Sequence, residues 1–184
     1  MTYMGRLMAR LFFALDIHPT DQEQLSLWRQ QYLSLPFKTI TPTNFHITLC
    51  FIGSVEEQKV LQMCNSADQL CKAHQLAYPA NINIDSCGWF AKAKVIYLSS
   101  TQTPKWLSHL AYGLNETACS LGIFQESRPY IPHISIYRKA KFTPPQPQHQ
   151  APSITIKSFS LYRSSSLRNE IHYQAIKKWY LYDN

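Results

Sequence analysis

Two short segments of this 184-residue chain carry side chains suited to proton transfer, His46-Ile-Thr-Leu49 and His133-Ile-Ser-Ile136. Strand side chains alternate faces, so each segment offers an imidazole and a hydroxyl on one face and two aliphatic groups on the other. If the two strands lie side by side, His46, Thr48, His133 and Ser135 converge, with Ile47, Leu49, Ile134 and Ile136 buried behind them. That set suits attack on a phosphodiester. One neutral imidazole removes a proton from the nucleophile, a protonated one supplies it to the leaving oxygen, and the hydroxyls hold the phosphoryl oxygens. Histidine suits both tasks because its unperturbed pKa, about 6.5, lies near working pH. A lone His-x-Thr is a weak signal, since a single histidine at a strand start is more often structural. Paired histidines also raise a metal site, but no carboxylate or cysteine follows at ligand spacing, and none is expected.

The surrounding sequence predicts the elements that would hold these strands. Runs rich in β-branched and aromatic residues fall at 10–17, 45–51, about 81–87, 94–99, 133–138, 154–162 and 171–181. Thr20 with Glu23, and Ser54 with Glu57, have capping-box spacing and predict two helix starts. Thr103 as N-cap with Pro104 behind it predicts a third, which Gly122 ends. Leu25, Trp28, Tyr32 and Leu35, then Val60, Cys64, Ala67 and Cys71, then Leu107, Leu110, Leu114 and Leu121 give each helix one apolar stripe. Strand 10–17, helix 20–33 and strand 45–51 are echoed by strand 94–99, helix 103–121 and strand 133–138. Such an echo sets the two histidine strands together about a pseudo-two-fold axis. The expected class is α+β, one domain over residues 1–184, with 1–9 as an N-terminal extension and 143–152 as an exposed Pro-rich loop.

On these residues the chain resembles the two-histidine phosphoesterases, and within them the RNA 2′,3′-cyclic phosphodiesterases, also called 2′-5′ RNA ligases. Arg10-Leu-Phe-Phe-Ala-Leu-Asp16 is similar to the family's opening strand. Asn44-Phe-His-Ile-Thr-Leu-Cys-Phe-Ile-Gly53 and Arg128-Pro-Tyr-Ile-Pro-His-Ile-Ser-Ile-Tyr-Arg138 resemble its two motifs, and Phe159-Ser-Leu-Tyr-Arg-Ser-Ser165 with His172-Tyr173 its closing hairpin. The resemblance implies a bilobal fold of two pseudo-symmetric antiparallel-sheet lobes, with helices outside and a central cleft. It implies metal-independent hydrolysis of a 2′,3′-cyclic phosphate to a 2′-phosphate, with no cofactor. His46 is then the proton donor and His133 the proton acceptor, an order the sequence leaves open. Thr48 and Ser135 become phosphate ligands, Ser135 standing where the family more often has Thr. Arg138 is a further expected contact, although regular alternation puts it on the wrong face of its strand unless a bulge intervenes. Tyr130 either stacks a terminal base or fills the core. Met8 is an alternative start.

Composition sets the setting. With 45% hydrophobic and 16% charged residues the chain is too apolar for disorder, and its broken apolar runs exclude a membrane span. Five cysteines without a Cys-x-x-Cys pair predict reduced cytosolic thiols. The formal charge of +7 lies wholly in residues 128–184, because residues 1–127 hold nine basic and nine acidic side chains. The expected partners are RNA ends or cyclic nucleotides, met by a cytoplasmic monomer, with Lys139, Lys141, Lys177 and Lys178 carrying the salt dependence. Two other functions remain open from the sequence: ATP-independent 2′-5′ joining at the same site, and a non-catalytic RNA or nucleotide-binding module.

Overall fold

The computed structural model describes residues 10–75, 79–125, 129–167 and 170–182. The proposed extension 1–9, including Met8, lies outside them. Among the described residues thirteen elements follow one another, and nine of them are strands of one sheet. They are β1 (Arg10–Ile17), α1 (Pro19–Tyr32), β2 (Lys38–Thr39), a 3-10 turn (Pro42–Asn44), β3 (His46–Gly53), α2 (Glu57–Ala73), β4 (Ala80–Ile82), β5 (Ser86–Phe90), β6 (Val95–Ser99), α3 (Lys105–Ser120), β7 (His133–Arg138), β8 (Ile154–Leu167) and β9 (Glu170–Tyr180).

The sheet runs β4-β8-β1-β3-β7-β6-β5, with β9 beside β8 and β2 beside β7. Its two halves meet where β3 and β7 pair antiparallel at Ile47 and Ile134. One half is β8, β9, β4, β1 and β3, and the other is β7, β6, β5 and β2. Residues 83–85 alone connect β4 on one edge to β5 on the opposite edge. Three residues span only about 11 Å, so the sheet must curl until its edges approach. This is the α+β two-lobed architecture expected from the echoed units.

The helices α1 and α3 reach across the junction between the halves, while α2 packs on α3 and against β9. From α1, Arg29 reaches the Ile136 carbonyl of β7. From α3, Asn115 reaches the Leu49 carbonyl of β3. The core beneath is aliphatic and aromatic, and Phe13, Leu15, Ile47, Leu98, Leu107, Leu114, Ile134 and Phe159 are all within 2% of complete burial.

The helix ends depart from the capping expectations. His18 caps α1, its ring nitrogen accepting from the Thr20 N–H at 3.3 Å, because Pro19 opens the helix at a position that needs no N–H. Thr20 therefore lies inside the helix. Glu56, in extended conformation, precedes α2, and Ser54 stands outside it. Pro104 is itself the N-cap of α3. Gly122 does end α3: at φ 70° its N–H reaches the Cys119 carbonyl, and the Ile123 N–H returns to Ala118, both at 2.9 Å. That is the two-bond closure a left-handed glycine permits. The strand expected over 81–87 divides into β4 and β5 because the Asp85 carboxylate binds the Thr101 N–H and hydroxyl, both at 2.7 Å, and turns the chain between them. The Pro-rich loop is fastened at two points, by Trp28 Nε1 to the His149 carbonyl and by Gln146 to the Cys87 carbonyl.

Candidate active site

The antiparallel pairing of Ile47 with Ile134 sets His46 opposite Ser135, and Thr48 opposite His133, on the face away from the core. Burial alternates accordingly. His46, Thr48, His133 and Ser135 are partly buried, while Ile47, Leu49, Ile134 and Ile136 are fully buried. The four side chains singled out by type and spacing thus share one site.

Both imidazoles are held alike. His46 Nδ1 lies 2.7 Å from the Asn44 carbonyl, and His133 Nδ1 lies 2.8 Å from the Ile131 carbonyl. A carbonyl only accepts, so in each ring Nδ1 carries the hydrogen and Nε2 is the nitrogen that can exchange a proton with substrate. Asn44 is itself anchored, its amide donating to the Ile171 carbonyl of β9 at 2.8 Å. Aromatic rings wall each histidine. Phe12 and Tyr173 lie 5.1 and 5.0 Å from His46, and Phe90 and Tyr97 lie 4.9 and 5.4 Å from His133. Gly88 leaves room for the second wall, since a Cβ there would collide with the phenol end of Tyr97. Burial pulls the His46 pKa down to about 4; the Asn44 carbonyl opposes this, and the neighbouring His133 and Arg138 add to it.

Arg138 reaches the site through a bulge. Along the β6–β7 ladder, Tyr97 pairs with Ser135 but Ile96 pairs with Tyr137, so Ile136 is an extra residue and the alternation resets. Arg138 returns to the face of His133 and Ser135, and its positive charge beside Tyr173 works against the burial that raises the pKa of that hydroxyl. The same device stands in β3. Thr48 pairs with Ala14 and Cys50 with Phe13, so Leu49 is extra and Phe51 is the counterpart of Arg138. Phe51 is 62% exposed, which leaves an apolar ring open beside the site.

Tyr130 stands differently. Its ring packs against the core, burial raises its pKa, and its hydroxyl donates to the Thr48 carbonyl at 3.0 Å. Phe12, Phe51, Phe90, Tyr97 and Tyr173 were not among the expected site residues. Their signal in the sequence is only that of strand aromatics, which packing explains equally well. Among the described residues no cluster of three or more metal-ligating side chains occurs.

Two half-sites of histidine and hydroxyl, facing each other on a two-lobed sheet, define the class of two-histidine phosphoesterases. A family model described as LigT like phosphoesterase matches residues 15–97. The chain is 32% identical over 178 residues to the RNA 2′,3′-cyclic phosphodiesterase of Escherichia coli, covering 94% of this chain and 96% of that protein. It is 26% identical over 182 residues to the protein of the same name from Methanocaldococcus jannaschii, covering 92% and 99%. The crystal structure of E. coli LigT complexed with 3′-AMP superimposes with a TM-score of 0.79 at 31% identity, over 94% of this chain and 98% of that one. This chain belongs to the LigT-like phosphoesterase family.

Proposed function

We propose that this chain hydrolyses 2′,3′-cyclic phosphate ends of RNA to 2′-phosphate ends, without a metal, at the paired histidines. The observation that carries the reading is the matched pair of Nδ1-to-carbonyl bonds at His46 and His133, which commits Nδ1 of each ring to the backbone and leaves the two Nε2 atoms for proton transfer. His133 Nε2 takes a proton from water as its oxygen attacks phosphorus. The bond to the 3′ oxygen breaks, and His46 Nε2 supplies the proton that this oxygen needs. Thr48, Ser135 and Arg138 hold the non-bridging oxygens as negative charge accumulates on them. Phe51 offers a stacking face for the terminal base, and Tyr130 acts indirectly, by fixing the backbone of Thr48. The names of the relatives support the substrate class.

The low pKa of His46 favours a second reading, in which His46 is the base and His133 the acid. In the first reading, the negative cyclic phosphate offsets the burial and lets His46 hold a proton. The cytosolic setting is supported by five free thiols, two of them buried. The functional unit is taken as one monomeric domain, with residues 1–9 as an extension to it.

The test is incubation of a 2′,3′-cyclic-phosphate oligonucleotide with and without chelator, followed by identification of the oxygen that keeps the phosphate. A 2′-phosphate formed at equal rates in both is expected. His46→Ala and His133→Ala should each lower kcat by about 10²- to 10⁴-fold with the unfolding temperature held. A 3′-phosphate product, or wild-type turnover in either variant, overturns the reading. Binding of the oligonucleotide without turnover in the wild type would instead indicate a binding module.

A further inference from the structure

The charge of this protein is arranged differently from its order along the chain. Lys177 is held by the Asp68 carboxylate at 2.9 Å and lies over the Trp179 ring, and Lys178 is 3.5 Å from Asp16. Both sit on β9, in the half that carries His46. Two of the four lysines expected to meet RNA are therefore already neutralised by partners of the same molecule.

A different set of cations gathers at the far end of β7. Lys38 pairs with Arg138 across the β2–β7 ladder, and Val95 pairs with Arg138 on the other side. The tight turn before Val95 carries Lys92 and Lys94, and the Ala140 N–H donates to the Lys94 carbonyl at 3.0 Å. That bond lays Lys139 and Lys141 alongside the turn. Lys38, Lys92, Lys94, Lys139 and Lys141 are all exposed, and among the described residues no ion pair reaches any of them. The segments that build the cluster, 34–41, 88–97 and 133–147, contain no Asp or Glu. Phe142, 47% exposed and 4.7 Å from the Phe37 ring, adds an apolar face at its margin.

Such a concentration of like charge is costly through mutual repulsion unless a polyanion occupies it. Its position identifies the polyanion. The cluster is continuous with Arg138, and five residues of strand separate it from His133, a distance of roughly 16 Å. We infer that the Lys38, Lys92, Lys94, Lys139 and Lys141 cluster binds the phosphate backbone of single-stranded RNA upstream of the cyclic phosphate end. The inference rests on the reaction proposed above and extends it: the favoured substrate is an oligonucleotide end, because a mononucleotide does not reach the lysines. Exposed aromatic rings beside a basic track are the usual means of holding a single strand without regard to its sequence.

The test combines Lys38→Gln, Lys92→Gln, Lys94→Asn, Lys139→Asn and Lys141→Gln in one variant. Asn is used where the backbone φ is positive, 55° at residue 94 and 59° at residue 139. Binding of a 3′-phosphate-ended oligoribonucleotide is followed by fluorescence anisotropy from low to high salt, which needs no turnover. The variant should bind on the order of tenfold more weakly at low salt, with the slope of log affinity against log salt flattened by about 0.7 for each phosphate that the lysines no longer neutralise. Its turnover of a 2′,3′-cyclic mononucleotide should equal that of the wild type, while KM for the cyclic-phosphate oligonucleotide rises. Lys72→Gln with Lys105→Gln, two exposed lysines elsewhere, should leave the slope unchanged. Equal affinity and slope in the five-fold variant and the wild type overturn the inference, as does an equal loss in the Lys72 and Lys105 control. A wild type that opens neither substrate refutes the proposed reaction, and the anisotropy still decides the lysine cluster.

Discussion

The two histidines are equivalent in type and in their backbone bonds, and their surroundings separate them. His46 is enclosed by Phe12 and Tyr173, and with its pKa near 4 it is neutral at pH 7. A nearby anion stabilises the imidazolium and so raises this pKa. NMR titration of the His46 ring should give a midpoint near 4 in the free protein and a higher one with a nucleotide 2′-phosphate bound. No movement on binding would remove the phosphate from its neighbourhood. Kinetics assign the roles. If His46 gives the proton, its limb of the kcat/KM profile falls as pH rises, because only the protonated form is competent. If it takes the proton, that limb falls as pH drops through about 4.

At the scale of elements, the two bulges decide which side chains join the site, and the crossing helices hold the bulges. Ile136, the extra residue of β7, has a carbonyl that accepts from Arg29 Nη1 at 3.0 Å and from the Ile40 N–H at 3.0 Å. Leu49, the extra residue of β3, has a carbonyl that accepts from the Asn115 amide at 2.9 Å. Arg29 is 7% exposed, and the Ile40 carbonyl also takes its Nη1 at 2.8 Å. Arg29→Met should cost about 2 kcal/mol of stability, since it strands buried acceptors, and should raise KM as Arg138 loses its fixed place. Chemical denaturation and steady-state kinetics on the one variant check both parts. An unchanged KM would show that the bulge holds without the helix. The apolar stripe of α1 carries no sign of this role, because an arginine one residue from Trp28 reads as solvent-facing until the opposing strands bring it two carbonyls.

At the scale of the whole molecule, the halves touch through side chains as well as through β3 and β7. Tyr173, on β9 in the half of His46, has its hydroxyl beside Arg138 of the other half and presents its ring at 82° to His46. Tyr173→Phe keeps the ring and removes the hydroxyl, so KM should rise about fivefold with kcat held. Tyr173→Ala should lower kcat as well, by loosening His46. Equal kinetic constants in both variants and the wild type would make this contact incidental. The closing hairpin is thus part of the site, in keeping with the anchoring of Asn44 to Ile171.

The residue types and spacing in the sequence were enough to single out the four side chains that the fold brings together, and most of the frame around them. An imidazole and a hydroxyl two residues apart on a strand share a face by backbone geometry alone, and β1 and β7 have the bounds expected from their β-branched and aromatic residues. Helix starts were less legible, because a cap depends on the conformation of one residue, and Pro19 and Glu56 shifted it. The place of Arg138 could be stated only as a condition, a bulge, since one inserted residue reverses every later side chain and leaves no mark in composition. The charge map was decided by tertiary structure. The excess of +7 falls in the last third of the chain, but β8 and β9 carry part of it to the half of His46, where Asp68 and Asp16 take up Lys177 and Lys178. Lysines 38, 92 and 94, which the linear count balanced against distant acids, stand instead beside Lys139 and Lys141. Electrostatic energy depends on distance in space, and only the fold sets that distance.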